Sequence, residues 1–281
     1  MKIGAHVSAA GGIFNAPANA AKIGAEVFQV FSRSPQGGPA PKLTEDILRQ
    51  FQAEMKKYQF DDFFIHAPYY INFASTTPRI RYGSISIIRE ELERGTLLGA
   101  TGVVTHLGST KDAGIKLGFQ KTWRGIQRIL DGYKGSAKLL LEISAGAGDQ
   151  VGGTFAQLAA LLKNIESKAA YKKKVDICLD ICHMFASGYD LRSKQKVVAV
   201  FKDFDDIIGL SRLRLFHGND SKAGLNEHKD RHEHIGQGQI GLEGFRAIVT
   251  HSKLRALNMV IETPWDTKYA QDIVILKKLR G

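Results

Sequence analysis

The sequence predicts an α/β protein, a single-domain (β/α)8 TIM barrel with its functional site at the C-terminal mouth of the strands. Two observations predict this. Short apolar, β-branched runs alternate with longer amphipathic stretches, and eight such units fit into 281 residues. Strands separated by helices pair in parallel, because each helix carries the chain back to the edge where the strand began. A length prior of about 150 residues per domain would allow two domains. No Pro/Gly/Ser linker parts the chain, however, so residues 1–281 read as one domain.

Taken in order, Ile3–Val7 is the first strand and Val27–Phe31 the second. The Gly/Pro-rich stretch Ser34–Pro41 is a loop after that strand, and Thr44–Tyr58 has helical spacing. Phe63–Ala67 is the third strand, followed by the helical pattern Pro78–Leu98. Val103–Leu107, with Phe119–Leu130 as its helix, and Leu139–Ile143, with Thr154–Ile165, repeat the unit. Val175–His183 and Leu213–Asn219 supply strands six and seven. Leu242–Thr250 precedes the last strand, Met259–Glu262, and Asp266–Leu279 closes the chain as a helix.

Composition narrows the class of protein. An apolar fraction of 43% with 24% charged residues excludes wholesale disorder. No apolar run approaches the roughly 18–20 residues that cross a bilayer, and the opening residues read as a strand, not a signal peptide. Cys178 and Cys182 are four apart, neither a CxxC pair nor a disulfide framework, so a reducing compartment is expected, the cytoplasm. Thirty-nine Lys and Arg against 28 Asp and Glu leave a net charge of +11, which favours a polyanionic partner.

The ends of the strands carry the chemistry. Strand three ends at His66, strand four at His106, and strand five carries Glu142. Strand six carries Asp180 and His183, strand seven reaches His217, and strand eight closes with Glu262. Asp230 and His232 lie in the loop after strand seven. A lone histidine at a strand end is usually a packing residue. Six consecutive strands ending in His, Asp or Glu, with no Lys or Arg among them, require something else to neutralise the carboxylates. Metal ions do so, and an imidazole–carboxylate set suits zinc, manganese or iron. Nine candidate ligands are too many for one ion and match two or three. Asp180 and His183 face opposite ways along a continuous strand, so the chain must turn out of the sheet near Cys182 for both to serve one site.

At these residues the sequence resembles the endonuclease IV family of apurinic/apyrimidinic endonucleases. The matching segments are Gly4–Gly12, His66 with Tyr69 and Ile71-Asn72, Glu142 with Ala145–Gly148, and Asp180–His183 with Gly188–Asp190. His217 with Asn219-Asp220, Asp230–His232 with Gly236, and Ile261–Pro264 complete them. The resemblance implies a three-zinc centre, with Mn2+ or Fe2+ as substitutes. His66 and His106 would hold one ion, with Glu142 bridging to a second ion bound by Asp180, His217 and Glu262. His183, Asp230 and His232 would hold the third. It implies hydrolysis of the phosphodiester 5′ to an abasic site in duplex DNA, leaving a 3′-hydroxyl and a 5′-deoxyribose phosphate, and trimming of blocked 3′ ends. Glu142 and Glu262 would be the catalytic carboxylates, His6 a neighbour of the ligands, and the protein a monomer.

Two departures stand out. Leu107-Gly108 replaces the family's Pro-Gly, and the loop Ser32–Pro39 lacks the polar and basic residues expected to enter DNA. Tyr69 and Tyr70 are instead expected to stack on an extruded nucleotide. Of the basic residues that follow strands, Arg33, Lys222 and Arg231 are expected at the DNA, with Lys111, Lys116, Arg192, Lys229 and Lys268 nearby. Lys172–Lys174 precede strand six and so belong at the opposite end. A xylose-isomerase-like sugar isomerase or epimerase shares such a barrel but needs only one or two ions. A non-catalytic DNA-binding barrel would need no converging ligands at all.

Overall fold

Each of the eight apolar runs forms a strand, and the parallel strands close on themselves. The computed structural model describes residues 1–281. Its strands are β1 (Lys2–His6), β2 (Phe28–Val30), β3 (Phe63–His66), β4 (Gly102–Thr105), β5 (Lys138–Glu142), β6 (Val175–Asp180) and β7 (Leu213–His217). They continue with β8 (Asp220–Ser221), β9 (His232–Glu233) and β10 (Asn258–Ile261). The barrel order is β1-β10-β7-β6-β5-β4-β3-β2, while β8 and β9 form a separate antiparallel ladder in the loop after β7.

The helices are α1 (Ala16–Lys22), α2 (Glu45–Lys57), α3 (Pro78–Leu98), α4 (Ile115–Leu130) and α5 (Phe155–Ile165). They continue with α6 (Ile181–Ala186), α7 (Lys194–Ile207), α8 (Gly241–Val249) and α9 (Tyr269–Arg280). Thr44 and Thr154 do not continue α2 and α5 but cap them, accepting from the backbone N–H groups of Ile47 and Gln157. α4 begins four residues before the expected Phe119, because Gly114 leaves the loop with a positive φ. α1 and α6 are only seven and six residues long, whereas α7 buries Val197, Phe201 and Phe204 at helical spacing.

The seventh strand ends at His217, two residues before the expected Asn219, and α9 starts at Tyr269, three after Asp266; the sixth strand needs the correction that bears on the site. The sixth strand does not run to His183. It ends at Asp180, whose carboxylate caps α6 by accepting from His183 N–H at 2.9 Å. The turn out of the sheet therefore comes at Asp180, before Cys182.

Alternation along the strands fills the barrel in layers. The middle layer is apolar: Val27, Phe64, Val104, Leu140, Cys178, Leu215 and Val260 form one buried cluster. β1 contributes no side chain there, because a Cβ on Gly4 would lie 1.6 Å from Val27 O. Nearer the N-terminal end the interior is charged, with Lys138 and Arg214 bonded to Asp176 at 2.6 and 2.7 Å. Lys172–Lys174 precede β6 at this same end. A larger apolar core lies between barrel and helices.

Candidate metal centre

Two residues beyond the apolar layer, the same face of every strand turns polar. Stepping from Gly4, Val27, Phe64, Val104, Leu140, Cys178, Leu215 and Val260 reaches His6, Gln29, His66, His106, Glu142, Asp180, His217 and Glu262. The strand period alone thus makes a ring of eight polar side chains, one per strand. His183, from α6, and Asp230 and His232, from the β8–β9 loop and β9, reach into this ring from above.

Glu142 is the centre of the cluster. Its Oε2 lies 3.3 Å from His66 Nε2 and 3.5 Å from His106 Nδ1. Its Oε1 lies 3.0 Å from His217 Nδ1 and 3.5 Å from His183 Nδ1. His217 Nδ1 is also 3.3 Å from Glu262 Oε2 and 3.8 Å from Asp180 Oδ2. Asp230 meets His183 Nε2 at 3.2 Å and His232 Nε2 at 3.3 Å, and His232 Nε2 is 3.5 Å from Asp180. All nine expected ligands thus join one continuous cluster.

Subsets of these donors lie within 4.8 Å of one another and could hold an ion: His66–Glu142–His217–Glu262, Glu142–Asp180–His183, and His183–Asp230–His232. The last is the expected third trio. The first differs from the expected partition, because His217 and Glu262 come within 4.8 Å of both His66 and Glu142. His106 belongs to none of these groups, and its carboxylate neighbour is Glu142. Cys182, not among the expected ligands, comes within the same distance of Asp180 and His232. Burial pushes its thiol well up.

The imidazoles are oriented as donors to a cation. His66 Nδ1 donates to Ala67 O at 2.6 Å, His183 Nδ1 to Ile143 O at 2.9 Å, and His232 Nδ1 to Glu262 O at 3.0 Å. Each bond directs the other ring nitrogen at carboxylate oxygens, the arrangement of metal-binding histidines. The Nε2 atoms of His183 and His232 are buried and have no hydrogen-bond partner. Lone pairs facing lone pairs repel unless a cation lies between them. The donor set therefore fits metal ions.

Protons can take that place instead. Burial alone would lower the His183 pKa, but Asp180, Asp230 and Glu142 outweigh it and raise it to about 10. Burial would raise the Asp230 carboxyl, yet the imidazoles of His183, His232 and His106 beside it lower it to about 2. Glu142 is likewise held well below the usual carboxylate range against its burial, by His106 and His217.

Two polar residues of the ring have no place among the expected ligands. Gln29 is fully buried; its Nε2 donates to Glu262 Oε1 at 2.6 Å and its Oε1 accepts from His217 Nε2 at 3.0 Å. The only sequence signal is an amide inside the apolar run Val27–Phe31. His6 Nδ1 lies 3.3 Å from Glu262 Oε1, so it adjoins the cluster as expected. Asn219 joins Asp180 and Glu262, donating to Asp180 Oδ2 at 2.7 Å and accepting from Glu262 N–H at 2.6 Å.

The expected DNA residues divide. Tyr69 is 61% exposed, with its ring 5.6 Å from His66 and 6.3 Å from His106. Tyr70, 41% exposed, lines the same depression of about 530 Å3 together with His106 and Asp230. Lys222 and Arg231 are exposed on the loop carrying Asp230; Lys222 lies 3.8 Å from Glu233, and Arg231 donates to Asp230 O. Arg33 is a correction. Its side chain is only 4% exposed and binds Glu91 and Glu90, both at 2.6 Å, so it ties the loop after β2 to α3 and does not face DNA. Arg192 and Lys229 are paired with Asp190 and Glu227.

Barrel and site together define the class, a (β/α)8 barrel with an imidazole–carboxylate cluster at its mouth. The chain matches the xylose isomerase-like TIM barrel family over residues 17–279. It is 39% identical over 282 residues to a probable endonuclease 4 of Methanoculleus marisnigri, covering 99% of each chain. To a probable endonuclease 4 of Halothermothrix orenii it is 34% identical over 280 residues, covering 100% of this chain and 99% of that one. The crystal structure of endonuclease IV from Thermus thermophilus superposes with a TM-score of 0.88 at 28% identity, covering 99% of this chain and 98% of that one. A D-tagatose 3-epimerase-like protein, at 20% identity and a TM-score of 0.71, covers 99% and 97%; it shares the fold alone. The chain belongs to the endonuclease IV family and is an enzyme of the nuclease class.

Proposed function

We propose that the protein is a DNA-repair endonuclease that cleaves duplex DNA on the 5′ side of abasic sites, leaving a 3′-hydroxyl and a 5′-deoxyribose phosphate. It would also trim blocked 3′ ends. The observation that carries this reading is the joining of five imidazoles and four carboxylates, with no Lys or Arg among them and two imidazole nitrogens left without partners. His66, His106, Glu142, Asp180, His183, His217, Asp230, His232 and Glu262 would hold three zinc ions, with Mn2+ or Fe2+ as substitutes. Bound there, such ions supply Lewis acidity toward a phosphodiester and toward water.

The chain's own residues orient the site. Gln29 fixes the Glu262 carboxylate and the His217 ring, and Glu142 spans between donor groups. Tyr69 and Tyr70 line one depression with His106 and Asp230 and would stack on an extruded nucleotide, worth about 1–3 kcal/mol per base. Extrusion costs least where the base is already lost, which favours abasic sites. Lys222 and Arg231, exposed on the loop that carries Asp230, would meet the phosphates. The protein would act as a monomer in the cytoplasm; no helix is long and apolar enough to cross a membrane.

The test is cleavage of an abasic duplex before and after chelation, with metal content measured on the same sample. Three ions per chain and chelator-sensitive cleavage are expected. One or two ions with sugar isomerisation would favour the epimerase-like alternative, and DNA binding indifferent to chelator, without product, a non-catalytic barrel. Glu262→Gln should retain binding to abasic DNA and lose cleavage by at least about 100-fold; unchanged turnover would remove Glu262 from the reaction.

A further inference from the structure

The outer face of α3 and α4 carries a positive stripe that the proposed reaction does not use. α4 holds Lys116, Lys121, Arg124 and Arg128 and no acidic residue. α3 adds Arg79, Arg81 and Arg89 before its first acid, Glu90. Leu117, Lys121, Arg124 and Arg128 recur at helical spacing, so they lie on one face. That face meets α3 at Tyr82, where the guanidinium carbons of Arg81 and Arg128 lie 4.8 and 5.1 Å from the ring centroid. Tyr82 and Leu117 are both exposed.

The nearby acids are engaged, one of them by the stripe's own Arg89. Glu93 pairs with Arg89, Glu90 with Arg33, and Asp131 lies nearest Lys168. Asp112 accepts from Ser75 and Thr76. Arg124, Arg128 and Lys121 are thus left without a carboxylate, and cations gathered in this way repel one another unless an anion joins them.

The place of the stripe says which anion. α3 and α4 start at the barrel mouth, so the stripe begins at the rim near Lys111 and descends the side for about 16 Å. Its cations follow one another at about 4.5–6 Å of rise, below a depression at the start of α4 lined by Lys116, Leu117 and Gln120. A row of cations spaced regularly along a helix suits a linear polyanion better than a small anion or a folded acidic protein. The geometry points to the α3–α4 face as a second binding surface, for the phosphate backbone of duplex DNA that flanks the substrate site and passes over the rim. This rests on the proposed DNA substrate and extends the contact beyond the mouth.

The experiment compares abasic duplexes of about 10 and about 30 base pairs, about 34 and 100 Å long, against a protein with an expected radius of gyration of about 19 Å. With the doubly reversed Arg124→Glu, Arg128→Glu protein, kcat/KM on the long duplex should fall at least tenfold at low salt. Its log–log salt slope should flatten by about 1.8, the value for two lost phosphate contacts. The short duplex should be cleaved as by the unaltered protein, and Lys172→Glu at the opposite end should change neither. An unchanged long-duplex value would overturn the proposal, leaving an acidic protein or only solvent at this face. Equal losses on both duplexes would overturn it too, as a general loss of fold or site. Should the unaltered protein cleave no abasic duplex, the proposed function fails by itself. The stripe is then judged by binding to an undamaged duplex of about 30 base pairs, where equal affinity of variant and unaltered protein overturns it.

Discussion

Gln29 shows how one residue orients a cluster it does not belong to. Its amide has one acceptor oxygen and a donor NH2, and each is used on a different neighbour, His217 and Glu262. Accepting from Nε2 leaves His217 Nδ1 free to face Glu142. Gln29→Leu keeps the volume and removes both bonds. We expect a loss of about 10–100-fold in metal affinity or turnover, read by metal content and kcat, with KM for the abasic duplex little changed. A purely structural role would show in thermal unfolding without moving kcat or metal content. Most expected ligands were legible in sequence, because His, Asp and Glu stand out at the ends of apolar runs. Gln29 was not, because a glutamine within Val27–Phe31 carries no charge to be explained.

At the scale of elements, the loop after β2 is held at its neck. Arg94, on α3, donates from Nε to Ser32 Oγ at 2.8 Å, from one terminal nitrogen to Ser32 O at 2.8 Å, and from the other to Pro41 O at 2.7 Å. One guanidinium thus bridges both stems, while Ser32 and Arg33 bind Glu91 beneath it. The tip retains Gly37 and Gly38, both at positive φ. Arg94→Met should cost about 3 kcal/mol in urea unfolding, from lost charge-assisted bonds and a less well paired Glu91. Hydrogen exchange of the Gly37 and Gly38 amides should speed up while metal content stays unchanged. The Gly/Pro content made this segment legible as a loop; its anchoring was not, because Arg94 and Ser32 are 62 residues apart.

At the scale of the molecule, the barrel closes where its first strand meets its last elements. β1 pairs with β10 and β2, and Glu26 seals the join. Its carboxylate accepts from Ile3 N–H at 2.9 Å and from Arg280 of α9 at 2.6 Å. Burial would raise the Glu26 carboxyl, but Arg280, the Ile3 N–H and Lys277 lower it to about 2. A carboxyl depressed in the folded state stabilises fully above its unfolded value, near 4.5, and the contribution disappears as pH falls toward 2. Glu26→Gln should therefore be less stable by about 1 kcal/mol at pH 7. The gap from the unaltered protein should shrink between pH 4.5 and 2 in urea titrations; a gap independent of pH would mean that packing, not charge, explains it.

Local pattern was enough for the barrel, and for most of its polar strand-end groups with their loop partners. Period-2 alternation and residue type are local properties, and a run of eight strand–helix units admits few other closures. How those groups combine is a property of the folded chain. Folding brought His217 and Glu262 within reach of His66, ended the sixth strand at Asp180, turned Arg33 inward, and completed the ring with Gln29. These are distances between side chains far apart in the chain. They depend on strand register, stagger and loop return, which no local pattern of residues contains.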